Sequence, residues 1–281
     1  MDANNYIDSI HFTKITNSIE IASGTYGIVL KGQYDNKTVA LKQFKQYGDN
    51  RNVERALRNL RDVRHPNILT LIGDSSNGDS LYSIMEYADG GSLKDFLHNP
   101  PLIEYTFNHV VNWALQYFSA VAYLHSRQPP LLHGDLKPSN MLLMDHRRVL
   151  KISDFGSVRA EATTNTNQRT NVPYIAPETF KGVKSAQPSE VYTCSIILWE
   201  MMSRKQVYEN IDSSLHIMRE CLNGMRPNLE DIKMVYPEEL KKLIVDSWEA
   251  DPSKRPKINR FVDFFSKYFE QNNIIAADLS I

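Results

Sequence analysis

The chain has 281 residues, 42% of them hydrophobic, enough to bury a substantial core in one large or two small globular units. Its 32 Lys and Arg nearly cancel 33 Asp and Glu, which excludes a global field drawing it to nucleic acid or an anionic membrane. Two cysteines, Cys194 and Cys221, give no disulfide framework and no C-x-x-C metal signature, and neither a secretion signal, a lipid-anchor motif nor an apolar run of bilayer length is read, so a reducing, cytoplasmic setting is expected.

In residues 15–85 short apolar strands alternate with turns marked by Gly24, Gly27, Gly32 and the pair Asp35-Asn36, which predicts a small twisted antiparallel sheet. The segment from Ala22 to Val29 spaces glycines so that backbone N–H groups can approach phosphates; taken alone, it fits an ordinary hairpin equally well. Val39-Ala40-Leu41-Lys42 then sets a lysine at the end of a predicted strand.

One helix interrupts the sheet over 51–63, with Val53, Ala56, Leu57, Leu60 and Val63 on its inward stripe. Its outer side carries Arg51, Arg55, Arg58, Arg61 and Arg64. That row is read either as a solvated face relieved by Glu54 and Asp62 or as a dock for a phosphothreonine or an acidic partner.

Strands follow at 68–72 and 81–86, and Ala88-Asp89-Gly90-Gly91-Ser92 breaks the pattern. Beyond it the chain reads as mainly helical. Phe107, Val110, Ala114, Phe118, Val121 and Leu124 mark a long helix over 105–125, and further helices are predicted at 191–202, 214–222, 238–248 and 258–269.

The chemistry concentrates in His133-Gly134-Asp135-Leu136-Lys137-Pro138-Ser139-Asn140 and Asp154-Phe155-Gly156. Asp135 can orient a hydroxyl nucleophile, Lys137 supplies a nearby cation, and Asn140 with Asp154 offers oxygens to a divalent ion. Together with Lys42 upstream and Ala176-Pro177-Glu178 downstream, these blocks resemble the protein kinases in both content and order.

That resemblance implies an α+β, bilobal kinase fold: a small antiparallel sheet lobe with one helix, and a larger, mainly helical lobe. The implied limits are an N-terminal segment 1–14, a kinase domain 15–269 divided into lobes 15–87 and 88–269, and a tail 270–281. It implies ATP and Mg2+ as cofactors and a protein substrate, with nucleotide contacts from Ala22, Ser23, Gly24, Thr25, Tyr26, Gly27, Val29, Ala40, Lys42, Met85, Glu86, Tyr87, Ala88 and Leu142. Catalytic roles fall to Asp135, Lys137 and Lys42, and metal ligation to Asn140 and Asp154. Glu178 and Arg255 resemble a structural ion pair. Thr163 and Thr166 lie where phosphorylation can order a loop, although threonines are also common in such loops.

The tracts from Met85 to Leu93, Tyr123 to Pro129 and Ile217 to Pro227 are similar to the TGF-beta-activated kinase branch of the MAP kinase kinase kinases. Its implied partners are a MAP kinase kinase as substrate and an activating adaptor protein, with no nucleic acid and no membrane.

Several positions depart from the kinase pattern. Ala22 replaces the first glycine, and Ala56 the helix glutamate that partners the strand lysine, so Lys42 must be balanced by Asp154 or by phosphates. Gly134 replaces an arginine, Glu190 a helix aspartate, and Asn171 a hydroxyl residue. Two readings follow: a serine/threonine kinase acting through ATP, or a pseudokinase scaffold that binds nucleotide and signalling partners.

Overall fold

The computed structural model describes residues 8–24, 27–44, 63–78, 80–161 and 171–281. The helix expected over 51–63, including Ala56 and most of the arginine stripe, lies outside the described residues, as do Thr25, Tyr26, Thr163 and Thr166.

Strands β1 (Asp8–Ser9), β2 (Thr16–Gly24), β3 (Gly27–Tyr34), β4 (Lys37–Phe44), β5 (Leu71–Asn77) and β6 (Ser80–Glu86) form one sheet in the order β1-β5-β6-β4-β3-β2. Its pairs are antiparallel except for the short β1, which runs parallel to β5. Asp35 and Asn36 both take positive φ, +49° and +57°, giving the two-residue turn whose twist suits a β3–β4 hairpin.

Because side chains alternate across a strand, the register sorts this sheet into two unlike faces. Leu30, Leu41 and Ile84 stand opposite one another and, with Val39, Tyr82, Ile10 and Ile15, close an apolar core. The other face carries Val29 opposite Lys42, Lys31 opposite Ala40, and Ala40 opposite Met85.

After Glu86 the described chain is mainly helical: α1 (Leu93–His98), α2 (Phe107–His125), α3 (Pro177–Phe180), α4 (Gln187–Ser203), α5 (Ser214–Leu222), α6 (Glu238–Ser247) and α7 (Asn259–Gln271). Helix α2 buries Val110, Trp113, Ala114, Tyr117, Phe118, Val121 and Leu124, and Phe118 stacks on Phe261 of α7 at 4.3 Å. Helix α4 is buried on nearly all sides, as its run of Ile196, Ile197, Leu198 and Trp199 requires. No described helix is long and apolar enough to cross a membrane.

Some details differ from the sequence reading. The strand expected at 68–72 begins at Leu71, because Asn67 and Leu69 instead exchange backbone hydrogen bonds with Ile152, and an apolar run does not name its pairing partner. The helix expected from 191 starts at Gln187, where Pro188 occupies the first turn. The unexpected α1 is too short to show periodicity, yet Ser92 caps it by accepting from the Asp95 N–H at 3.1 Å.

Both flanking segments pack onto this framework. Ile10 enters the sheet core, while Ile274 and Leu279 enter the helical core.

Candidate active site

Between β7 (Leu131–Leu132) and β8 (Met141–Met144) runs the segment 133–140. His133 is fully buried, with Nε2 2.9 Å from the Ser153 carbonyl oxygen and its ring edge-on to Phe155 at 5.1 Å, so this loop and the Asp154 segment are held together. Gly134 takes φ +79°, a left-handed value that a residue without Cβ adopts freely.

The Gly134 N–H donates to Glu190 Oε1 at 2.7 Å, and Glu190 Oε2 lies 2.9 Å from His125 Nε2. Burial pushes the Glu190 carboxyl up, but His125 and the Gly134 N–H outweigh that and hold it below the ordinary range. The glutamate, one methylene longer than the aspartate it replaces, still reaches the loop backbone.

Asp135 is bracketed on three sides. Its Oδ2 lies 2.9 Å from Lys137 Nζ and accepts from Asn140 Nδ2 at 3.0 Å, and its Oδ1 accepts from Asn171 Nδ2. Asn140 Nδ2 also donates to the Asp135 carbonyl at 2.8 Å, which leaves the amide oxygen as the group Asn140 has for a cation.

The Ser153 N–H donates to the Asn140 carbonyl at 2.8 Å, fixing Asp154, the next residue, relative to Asn140. Asp154 itself adopts φ 64°, ψ 69°, and its Oδ1 accepts from Lys42 Nζ at 2.8 Å. Burial raises the Asp154 carboxyl, yet Lys42, aided by His133 and Lys137, outweighs it and keeps the group below its usual value.

Among the described residues no group of three His, Cys, Asp or Glu is placed to hold a metal ion. An amide oxygen from Asn140 and a carboxylate from Asp154 are donor types that suit a hard cation such as Mg2+.

Of the residues expected to meet nucleotide, Val29, Ala40, Lys42 and Met85 share one sheet face, and β6 runs out through Glu86 into the half-buried Tyr87 and Ala88. Glu86 Oε1 accepts from the Thr70 N–H at 2.7 Å and from Lys151 Nζ at 2.6 Å, which pins this exit from behind. Leu142 in β8 pairs with Lys151 of β9 (Val149–Ile152) and bridges to Ser92.

Ala22, Ser23 and Gly24 pair with Val29, Ile28 and Gly27. At Gly27 an added Cβ would run into the Gln43 carbonyl oxygen, so close approach of β4 demands glycine there independently of any phosphate.

Away from the loop, Arg255 makes a bidentate pair with Glu178, at 2.8 and 2.7 Å, and also donates to the Pro188 and Glu249 carbonyls. Ser189 Oγ adds a bond to Glu178 at 2.7 Å. The sequence reading gave no role to Lys151, which holds Glu86, to Ser189, which supports Glu178 away from the loop, or to Lys31, whose Nζ stands 4.6 Å from the centre of the Tyr87 ring. Strand alternation from Val29 was the signal for Lys31.

Residues 15–265 match the family described as "Protein tyrosine and serine/threonine kinase". Over 258 residues the chain is 38% identical to "Mitogen-activated protein kinase kinase kinase 7" of Drosophila melanogaster, covering 92% of this chain and 37% of that protein. The human protein of the same name is 38% identical over 268 residues, covering 93% of this chain and 43% of the relative. The chain thus spans less than half the length of each of these two relatives. By the family match and the ordered blocks around Lys42, Asp135, Asn140 and Asp154, the chain belongs to the protein kinase family.

Proposed function

We propose that the chain is a serine/threonine protein kinase of the MAP kinase kinase kinase kind, transferring the γ-phosphoryl group of ATP to hydroxyls of a protein substrate. The observation that carries this reading is the bracketed Asp135 carboxylate beside an Asp154 that Lys42 holds. The names of the relatives support a MAP kinase kinase as the substrate class.

Asp135 accepts the proton of the attacking hydroxyl as its oxygen bonds to the γ-phosphorus and the bond to the bridging β,γ oxygen breaks. Lys137, beside Asp135, offsets charge on the transferring group, and Lys42 holds the α- and β-phosphates. Asn140 and Asp154 would hold a magnesium ion, which would supply positive charge to offset that of the phosphates. Met85 to Ala88 and Leu142 hold the base between hinge and floor. Most of the work is positioning, which suits a reaction whose transition state needs little covalent help.

The scaffold reading of Ala22, Ala56, Gly134 and Asn171 loses ground on two observations. Gly134 still delivers its N–H to Glu190, and Asn171 still meets Asp135. The test is incubation with γ-labelled ATP, Mg2+ and a catalytically dead MAP kinase kinase, followed by phosphoamino acid analysis. Label on serine or threonine is expected; label on tyrosine alone, or none, contradicts the proposal.

A further inference from the structure

Lys42 is not the only lysine on the sheet face that looks toward Asp154. Lys31 stands opposite Ala40, two residue pairs nearer the strand exit than the Val29–Lys42 pair, and so points to the same side. Ala40 in turn stands opposite Met85. The short Ala40 methyl leaves the lysine stem a path across β4, and Nζ comes to 4.6 Å from the Tyr87 ring centroid, within the range of a cation–π contact. Both side chains are half-buried, so part of the competing hydration is already stripped away.

Tyr87 follows directly on Glu86, which Lys151 and the Thr70 N–H already hold from behind. The exit strand is therefore gripped on one side through Glu86 and on the other through Tyr87. Besides the β4–β6 pairing that brings Val39 opposite Glu86, Lys31 adds a side-chain contact from β3 to the hinge.

We infer that Lys31 and Tyr87 form a latch between the roof strand and the hinge, and that opening it limits how fast nucleotide leaves. This rests on the nucleotide reading of the site. The latch touches neither the transferring phosphoryl group nor Asp135, so Lys31 is a positioning residue, and its loss acts on nucleotide retention rather than on chemistry.

The test measures release of a fluorescent ADP by stopped flow from the wild type, Lys31→Met, Lys31→Arg, Tyr87→Leu and the double variant Lys31→Met/Tyr87→Leu. Lys31→Met and Tyr87→Leu are each expected to speed release about two- to fivefold, the range of one partly exposed cation–π contact. The double variant should be no faster than the faster single one, since the two side chains share one contact. Lys31→Arg, which keeps the cation, should restore most of the retention. In turnover, Lys31→Met should raise the KM for ATP without lowering kcat.

Amide exchange in the nucleotide-free protein gives a second measure, with faster exchange expected at Tyr87 and Ala88 in Lys31→Met. Effects that multiply in the double variant, or a Lys31→Met protein that matches wild type in both release and exchange, would overturn the latch. A wild type that binds no fluorescent ADP would instead overturn the nucleotide reading, an outcome separate from those two.

Discussion

At the scale of single residues, the account turns on how one carboxylate is held. Asp135 has two oxygens and about four acceptor directions; Lys137, Asn140 and Asn171 occupy three of them, which leaves one for a substrate hydroxyl. Removing Asn171 should loosen Asp135 without touching nucleotide contacts. Asn171→Ala is therefore expected to lower kcat about tenfold or more, with the KM for ATP unchanged and with rescue by Asn171→Thr. A rise in KM with kcat intact would place Asn171 elsewhere in the reaction. The sequence singled out Asp135, Asn140 and Asp154 through the ordered blocks that resemble kinases. The Asn171 contact was readable only as a substitution, since its meaning depends on a loop returning to Asp135 from a distance.

At the scale of elements, the buried pair Glu178–Arg255 joins the segment before α4 to the turn before α7. Arg255 is almost fully enclosed, so its partner cannot be lost to water cheaply. Arg255→Ala should destabilise the fold by about 3–5 kcal/mol, because a desolvated carboxylate is left behind. The midpoint of denaturant unfolding measures this, and a shift worth less than about 1 kcal/mol would mean that water reaches Glu178. A companion prediction concerns the helix read over 51–63. Lys42 pairs with Asp154, so Ala56→Glu should raise turnover by giving the lysine the helix partner usual in kinases. Unchanged or lower turnover would argue against the register that sets Ala56 at that position.

Elements were unevenly legible. The β3–β4 hairpin announced itself through Asp35-Asn36, and α2 through apolar spacing. The β5 start at Leu71 was hidden, because residues 67–69 give their hydrogen bonds to Ile152 far along the chain. Likewise α1 was missed because a helix of six residues shows no repeat, although its Ser92 cap was in plain view.

At the scale of the whole molecule, three buried or half-buried carboxylates, Asp154, Glu178 and Glu190, all sit below the ordinary carboxylate range. In each, burial acts upward and is overcome by a cation or by hydrogen bonds. A group whose folded pKa is depressed binds protons less readily when folded than when unfolded. Its stabilisation is thus full above the unfolded value of about 4 and drains away as pH falls through the lower folded value. The melting temperature should accordingly hold near neutrality and fall steeply below about pH 4, with a shallower fall in Glu178→Gln. A melting temperature independent of pH between about 5 and 3 would contradict this.

Glu190 and Asp154 hold the site itself, and Glu178 holds the segment before α4, so the fold and the chemistry share one framework. The central claim is that this framework carries out phosphoryl transfer, and it is tested most directly by timing incorporation of γ-labelled phosphate with purified wild type, Asp135→Asn and Asp154→Ala side by side. The account predicts incorporation by the wild type and a loss of at least about a hundredfold in each variant. Equal incorporation by all three proteins would contradict it.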